Sequence, residues 1–157
     1  MIRSFLIALF AIFVFIPTIQ AADPFESTTC VSGTMNIIQN SKEILASSLE
    51  LKGIVRNNTN SEILNNVSEI CVGLYSIIGD EIKQSGFCKY LYPNEDINII
   101  EWNGGAGGGE WKFLSGTGKW EGIKGGGTYS VIERAKSIAP GTFQNCRKIE
   151  GTYELPQ

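Results

Sequence analysis

Beyond residue 22 the chain alternates runs of β-forming residues with clusters of Gly, Pro, Asn and Asp. The clusters recur about every 8–12 residues, the rhythm of an all-β sandwich or barrel. Eight strands are predicted, over about 29–38, 47–56, 65–77, 82–92, 95–103, 109–115, 123–134 and 142–155. Turns are expected at Asn57–Asn60, Gly79-Asp80, Pro93-Asn94-Glu95, Gly104–Gly108, Gly116–Gly122 and Ala139-Pro140-Gly141, all built from residues that supply turn geometry. Ser41–Leu51 could instead form a short helix, but it runs straight into the strand-like LKGIVRN. Eight strands in one domain suit a small closed antiparallel barrel, since closure removes exposed edges. Alternation leaves the inner face open at two strands. The fifth puts Ile97, Ile99, Glu101 and Asn103 on one side and Asn98, Ile100 and Trp102 on the other. The last puts Phe143, Asn145, Arg147, Ile149, Gly151 and Tyr153 on one side.

The first 22 residues have a different pattern. Arg3 precedes an unbroken apolar run, Phe5–Ile16, followed by Pro17 and the small residues Ala21-Ala22. These are the parts of a secretory signal peptide, and the run is short for a membrane span. Cleavage is expected after Ala21 or Ala22, giving a secreted or periplasmic protein that meets a membrane only through this segment, during export. Residues 23–157 then form a single barrel domain.

Cys30, Cys71, Cys88 and Cys146 all follow that segment, and an even count in an exported chain reads as two disulfides. A Gly-first turn at Gly79-Asp80 suits a type II′ hairpin. It sets Cys71 opposite Cys88 and Gly73 opposite Gly86, close enough for a disulfide. Cys30 then pairs with Cys146, joining the first strand to the last.

Composition removes most familiar chemistry. The chain has no histidine, so Ser-His-Asp and Cys-His nucleophile systems and His-bearing metal sites are excluded. No metal, cofactor or nucleic-acid partner is expected; only 18% of residues are charged and the formal net charge is −3. Eleven of the 18 glycines lie between Gly104 and Gly127. Their spacing fails both the P-loop and the dinucleotide fingerprint, and a β pattern follows where a helix would be needed, so no nucleotide is expected. The glycines read as bends and close approaches in a tightly curved sheet.

Trp102, Trp111 and Trp120 fall in or beside this block. A hairpin across Ala106-Gly107 makes Trp102 and Trp111 neighbours. With Phe113 and Tyr129 they are candidates to line an apolar ligand pocket, against the alternative of core packing. Glu101 is a weak catalytic candidate, a buried carboxylate if its face is interior and otherwise a salt-bridged surface residue. Glu110, Lys112, Lys119, Glu121 and Lys124 alternate in sign as a solvated face would. Asn57-Asn58-Thr59 and Asn66-Val67-Ser68 match the glycosylation sequon, which acts only in a eukaryotic secretory host.

The stretch SGTGKWEGIKGGGTY is similar to a signature of small exported bacterial proteins with a barrel like that of allene oxide cyclase, and dirigent proteins carry a comparable GGTGKF turn. GFCKY at Gly86–Tyr90, Glu101-Trp102 and the C-terminal GTFQNC…GTYEL also resemble that exported group. The resemblance covers about residues 65–157 and implies an eight-stranded antiparallel barrel with a central cavity. It transfers no catalytic residue. The expected role is non-enzymatic binding of a small apolar or amphipathic ligand, or an envelope-associated structural role. The alternatives are an isomerase or cyclase of allene oxide cyclase type using one carboxylate, and a protein-interaction module presenting the Gly104–Gly109 loop. Whether the interior is hollow or filled decides among them.

Overall fold

The computed structural model describes residues 22–156. The candidate signal segment, up to Ala21, lies outside them. The strands are β1 (Asp23–Asn40), β2 (Ile44–Asn57), β3 (Val67–Ile78), β4 (Glu81–Leu91), β5 (Ile97–Gly104), β6 (Gly108–Gly116), β7 (Lys124–Ala135) and β8 (Thr142–Glu154), with a single 3-10 turn at Gly118–Trp120. Each pairs antiparallel with its neighbour in sequence, and β1 pairs with β8 to close an eight-stranded barrel.

Most strand bounds shift by one to three residues from expectation, and two departures are larger. β1 begins at Asp23, six residues before the predicted start, because β8 extends a matching edge: Asp23 pairs with Tyr153 and Phe25 with Gly151. The possible helix over Ser41–Leu51 is not formed. Ser41 makes the β1–β2 turn, its backbone N–H donating to the Ile44 carbonyl at 2.8 Å, and Ile44 onward is strand, paired on both sides. Tertiary pairing overrides the weak local helix preference.

The β3–β4 register is the one the turn arithmetic gives. Cys71 faces Cys88 and Gly73 faces Gly86, and Gly79 takes a φ of 61° at the turn's first central position. The disulfides are Cys71–Cys88 and Cys30–Cys146. The first is buried inside the barrel, whereas Cys30 and Cys146 lie on the outer wall. Two disulfides fit an oxidising compartment.

Up-and-down order sends the four odd-to-even hairpins to one end of the barrel and the three other connections to the opposite end. The latter end is closed. Ile63 and Leu64 from the β2–β3 loop, Tyr92, and Trp120 and Ile123 from the β6–β7 connection are all buried there. Tyr92 stacks near Trp120 with ring centroids 5.0 Å apart, and its hydroxyl accepts from the Leu64 backbone N–H at 3.2 Å. The inward face of β8 is the one carrying Arg147, Ile149 and Tyr153; that of β5 carries Asn98, Ile100 and Trp102.

Candidate functional site

From the closed end upward the interior has three tiers: the plug just described, an aromatic and ionic middle, and an open cup. The middle tier gathers all four candidate aromatic residues. Trp102 and Trp111 are directly opposed across β5 and β6. Trp102 meets Tyr129 edge-on at 6.4 Å, and Trp111 meets Phe113 edge-on at 5.0 Å. Glycines make the room. A Cβ on Gly73 would stand 2.8 Å from the Trp102 ring, one on Gly86 2.9 Å, and one on Gly151 2.6 Å from the Trp111 ring. Pairing small residues with large ones lets two indoles fit within so narrow a barrel. The space left among Tyr90, Ile100, Trp102, Trp111, Tyr129 and Arg147 is about 10 Å³, the scale of one water molecule. These aromatic side chains fill the barrel at this level.

Glu101 is not interior. It points outward on β5 and pairs with Lys112 at 2.8 Å, because the inward positions of that strand are the even-numbered ones. The buried carboxylate is Glu69 on β3, which sequence reasoning missed. Its side chain is 1% exposed and its Oε1 lies 2.9 Å from the Arg147 guanidinium, itself 11% exposed. Thr29 donates to Oε2 at 2.7 Å and Tyr90 to Oε1 at 3.3 Å. Burial, reinforced by the neighbouring Glu69 charge, pushes the Tyr90 phenol well above its ordinary value. Cys71 Sγ lies 3.2 Å from the same carboxylate, but a disulfide sulfur has no proton to give. For the same reason Glu69, Cys71 and Cys88, though adjacent, offer a metal one carboxylate and no thiolate. The available signal for Glu69 was its parity with Cys71, two residues on in the same strand.

Above the aromatic tier, at the hairpin end, lies a cup of about 620 Å³. Met35, Leu45, Leu49, Tyr75 and Phe143 give it apolar walls, while Gln84, Arg134 and Asn145 bring polar groups. Gln84 ties this tier to the one below, donating to the Tyr129 hydroxyl at 3.2 Å and to the Gly105 carbonyl. The buried Oδ1 of Asn145 has no hydrogen-bond partner among the described residues. A larger groove of about 760 Å³ runs along the outer wall beside Cys30 and Cys146, outside the barrel. The cup therefore has the volume and make-up of a small-molecule site, apolar walls with a few polar groups. Its residues escaped sequence reading because they come from six strands, and no local motif marks them.

No protein-family model matches the sequence, and no curated protein matches it. Solved structures do. The pterocarpan synthase dirigent protein PsPTS1 superposes with a TM-score of 0.53 at 11% identity, over 85% of this chain and 96% of that one. A second pterocarpan synthase dirigent protein, GePTS1, gives 0.49 at 10% identity, over 87% and 94%. At such identity the likeness is one of fold: eight antiparallel strands closed into a barrel of the dirigent kind.

Proposed function

We propose that the protein is an exported carrier or receptor that holds one small amphipathic molecule in the cup at the open end of its barrel. The observation that carries this reading is the cup itself, about 620 Å³, apolar-walled and floored by a filled aromatic tier. Pockets for small ligands span about 300–1,000 Å³. The apolar part of the ligand sits against Leu45, Leu49 and Phe143, and its polar part meets Gln84, Asn145 and Arg134. The export part of this reading, with cleavage after Ala21 or Ala22, is supported by the N-terminal sequence pattern and by the two disulfides.

An isomerase or cyclase of allene oxide cyclase type needs a carboxylate open to the ligand. Glu69 is committed to Thr29, Tyr90 and Arg147 and is not among the cup's walls, so it reads as structural.

The test is binding of dansyl-labelled undecanoic acid, followed by fluorescence, together with native mass spectrometry for a co-purified ligand. Leu49→Trp fills the cup and should abolish probe binding, while Phe87→Ser on the outer wall should leave it unchanged. Saturable binding lost only in Leu49→Trp supports the cup. No binding and no co-purified mass would remove the proposal.

A further inference from the structure

The two ends of the barrel treat their apolar residues in opposite ways. At the closed end Ile63, Leu64, Tyr92, Trp120 and Ile123 turn inward and are buried. At the open end the hairpin tips turn isoleucines out. Ile37 and Ile38 end β1, Ile44 opens β2 opposite Ile78 of β3, and Ile138 sits in the β7–β8 connection. Ile38 is 68% exposed and Ile138 81%. Three separate hairpins thus carry aliphatic residues to the rim of one opening. Single exposed apolar residues are ordinary; a set gathered around a cavity mouth marks an interaction surface.

Charge divides along the same axis. Around the rim, Lys42 neighbours Glu43, Lys83 pairs with Glu81 at 3.0 Å, and Arg134 and Lys136 are matched in number by Glu133 and Asp80. At the closed end, in the connections and the strand ends, Asp23, Glu62, Glu95, Asp96, Glu121 and Glu154 outnumber Arg56, Lys119 and Lys124. One pole is apolar and electrically balanced, the other acidic and polar.

We propose that the isoleucine rim docks on the surface of a phospholipid bilayer, mouth down, so that an amphipathic ligand passes between the membrane and the cup without crossing water. This rests on the cup as the ligand site and extends membrane contact beyond the N-terminal segment. Aliphatic tips enter the headgroup region, where binding grows with the apolar area buried. The balanced rim meets zwitterionic lipid without electrostatic penalty, and the acidic pole faces water. The outer wall of β2–β4 also shows Ile54, Ile70, Val72, Leu74, Phe87 and Leu91, but that patch looks sideways from the barrel, away from the cup's mouth, and serves as the control.

Co-sedimentation with phosphatidylcholine vesicles tests the docking. Wild type and variants share one N-terminus, so any contribution from residues 1–22 cancels. The Ile38→Asp/Ile138→Asp pair should partition at least about tenfold more weakly than wild type, Phe87→Ser should partition as wild type does, and added salt should change little. Equal partitioning of the rim variant and wild type, or wild-type binding that salt abolishes, would overturn the proposal. So would light scattering that finds a wild-type dimer converted to monomer by the rim substitutions, since a second copy would then cover the rim. Binding of dansyl-labelled undecanoic acid without vesicles separates the two readings. If the rim proposal alone fails, both proteins still bind the probe; if the cup reading fails, neither does.

Discussion

Glu69 and Arg147 place opposite charges inside an otherwise largely apolar wall. The pair is 2.9 Å apart, and Thr29 and Tyr90 add hydrogen bonds to the carboxylate. Removing one partner strands the other in a low dielectric, so Arg147→Met should lower stability by about 3–5 kcal/mol. Adding Glu69→Gln should restore much of that loss, as read by urea denaturation of the single and double variants. The interior phenols give a second expectation at this scale. Burial raises Tyr90, Tyr92 and Tyr129 above the ordinary tyrosine value of 10.0. Above that pH the unfolded chain gives up phenol protons that the folded chain keeps, so stability falls as pH rises. The fall should begin near pH 10 and be shallower in Tyr90→Phe, measured as denaturation midpoints across the alkaline range. The same residues show where sequence reading stops. Glu101 and Glu69 both sit in alternating strands beside β-branched residues. Which one turns inward depends on the facing of each whole strand, and a single strand of mixed character does not reveal it.

Among the elements, the β3–β4 hairpin was the most legible. A Gly-first two-residue turn sets the register, and the register sets Cys71 against Cys88. The start of β1 was hidden because it is determined by β8, more than a hundred residues away in sequence. The glycine pair Gly73 and Gly86 was visible as a pair, but its purpose, seating Trp102, needed the curvature of the barrel. Gly86→Ala pushes a methyl group against the Val72 carbonyl and the Gly73 backbone as well as that indole, and should destabilise by about 1–3 kcal/mol, with a change in Trp fluorescence reporting the displaced ring. The disulfides differ in both reach and access. Cys30–Cys146 spans 116 residues and Cys71–Cys88 spans 17. Chain-entropy reasoning puts their contributions at about 5 and about 3 kcal/mol. Cys30–Cys146 lies on the outer wall, so limiting reductant should open it first, and alkylation mapping of the released thiols would show Cys30 and Cys146 labelled ahead of Cys71 and Cys88.

For the whole molecule, the barrel has a bottom and a mouth. The plug of Ile63, Leu64, Tyr92, Trp120 and Ile123 and the filled aromatic tier occupy the lower barrel, and the ligand-sized cup lies at the hairpin end. Filled and open interior are thereby separated along one axis, with the packed plug and aromatic tier below and the proposed binding cup above. Substitutions of half-buried cup residues, such as Leu45→Ser, should change ligand binding with little effect on unfolding, while substitutions in the plug, such as Ile63→Ala, should lower the melting temperature. Thermal denaturation and probe titration on the same two proteins check the division.

The seam between β1 and β8 also orders events in time. β1, the first of the described strands to be made, has as one of its two neighbours β8, the last of them. Until the final residues are available, β1 keeps an unsatisfied edge, and no partial chain can close the ring. Such distant pairing makes folding slow and leaves the open edge vulnerable to other chains. The hairpin bond Cys71–Cys88 can form early from neighbours, whereas Cys30–Cys146 must wait until β8 has been made. Oxidation of that last pair is then a chemical record that the barrel has closed.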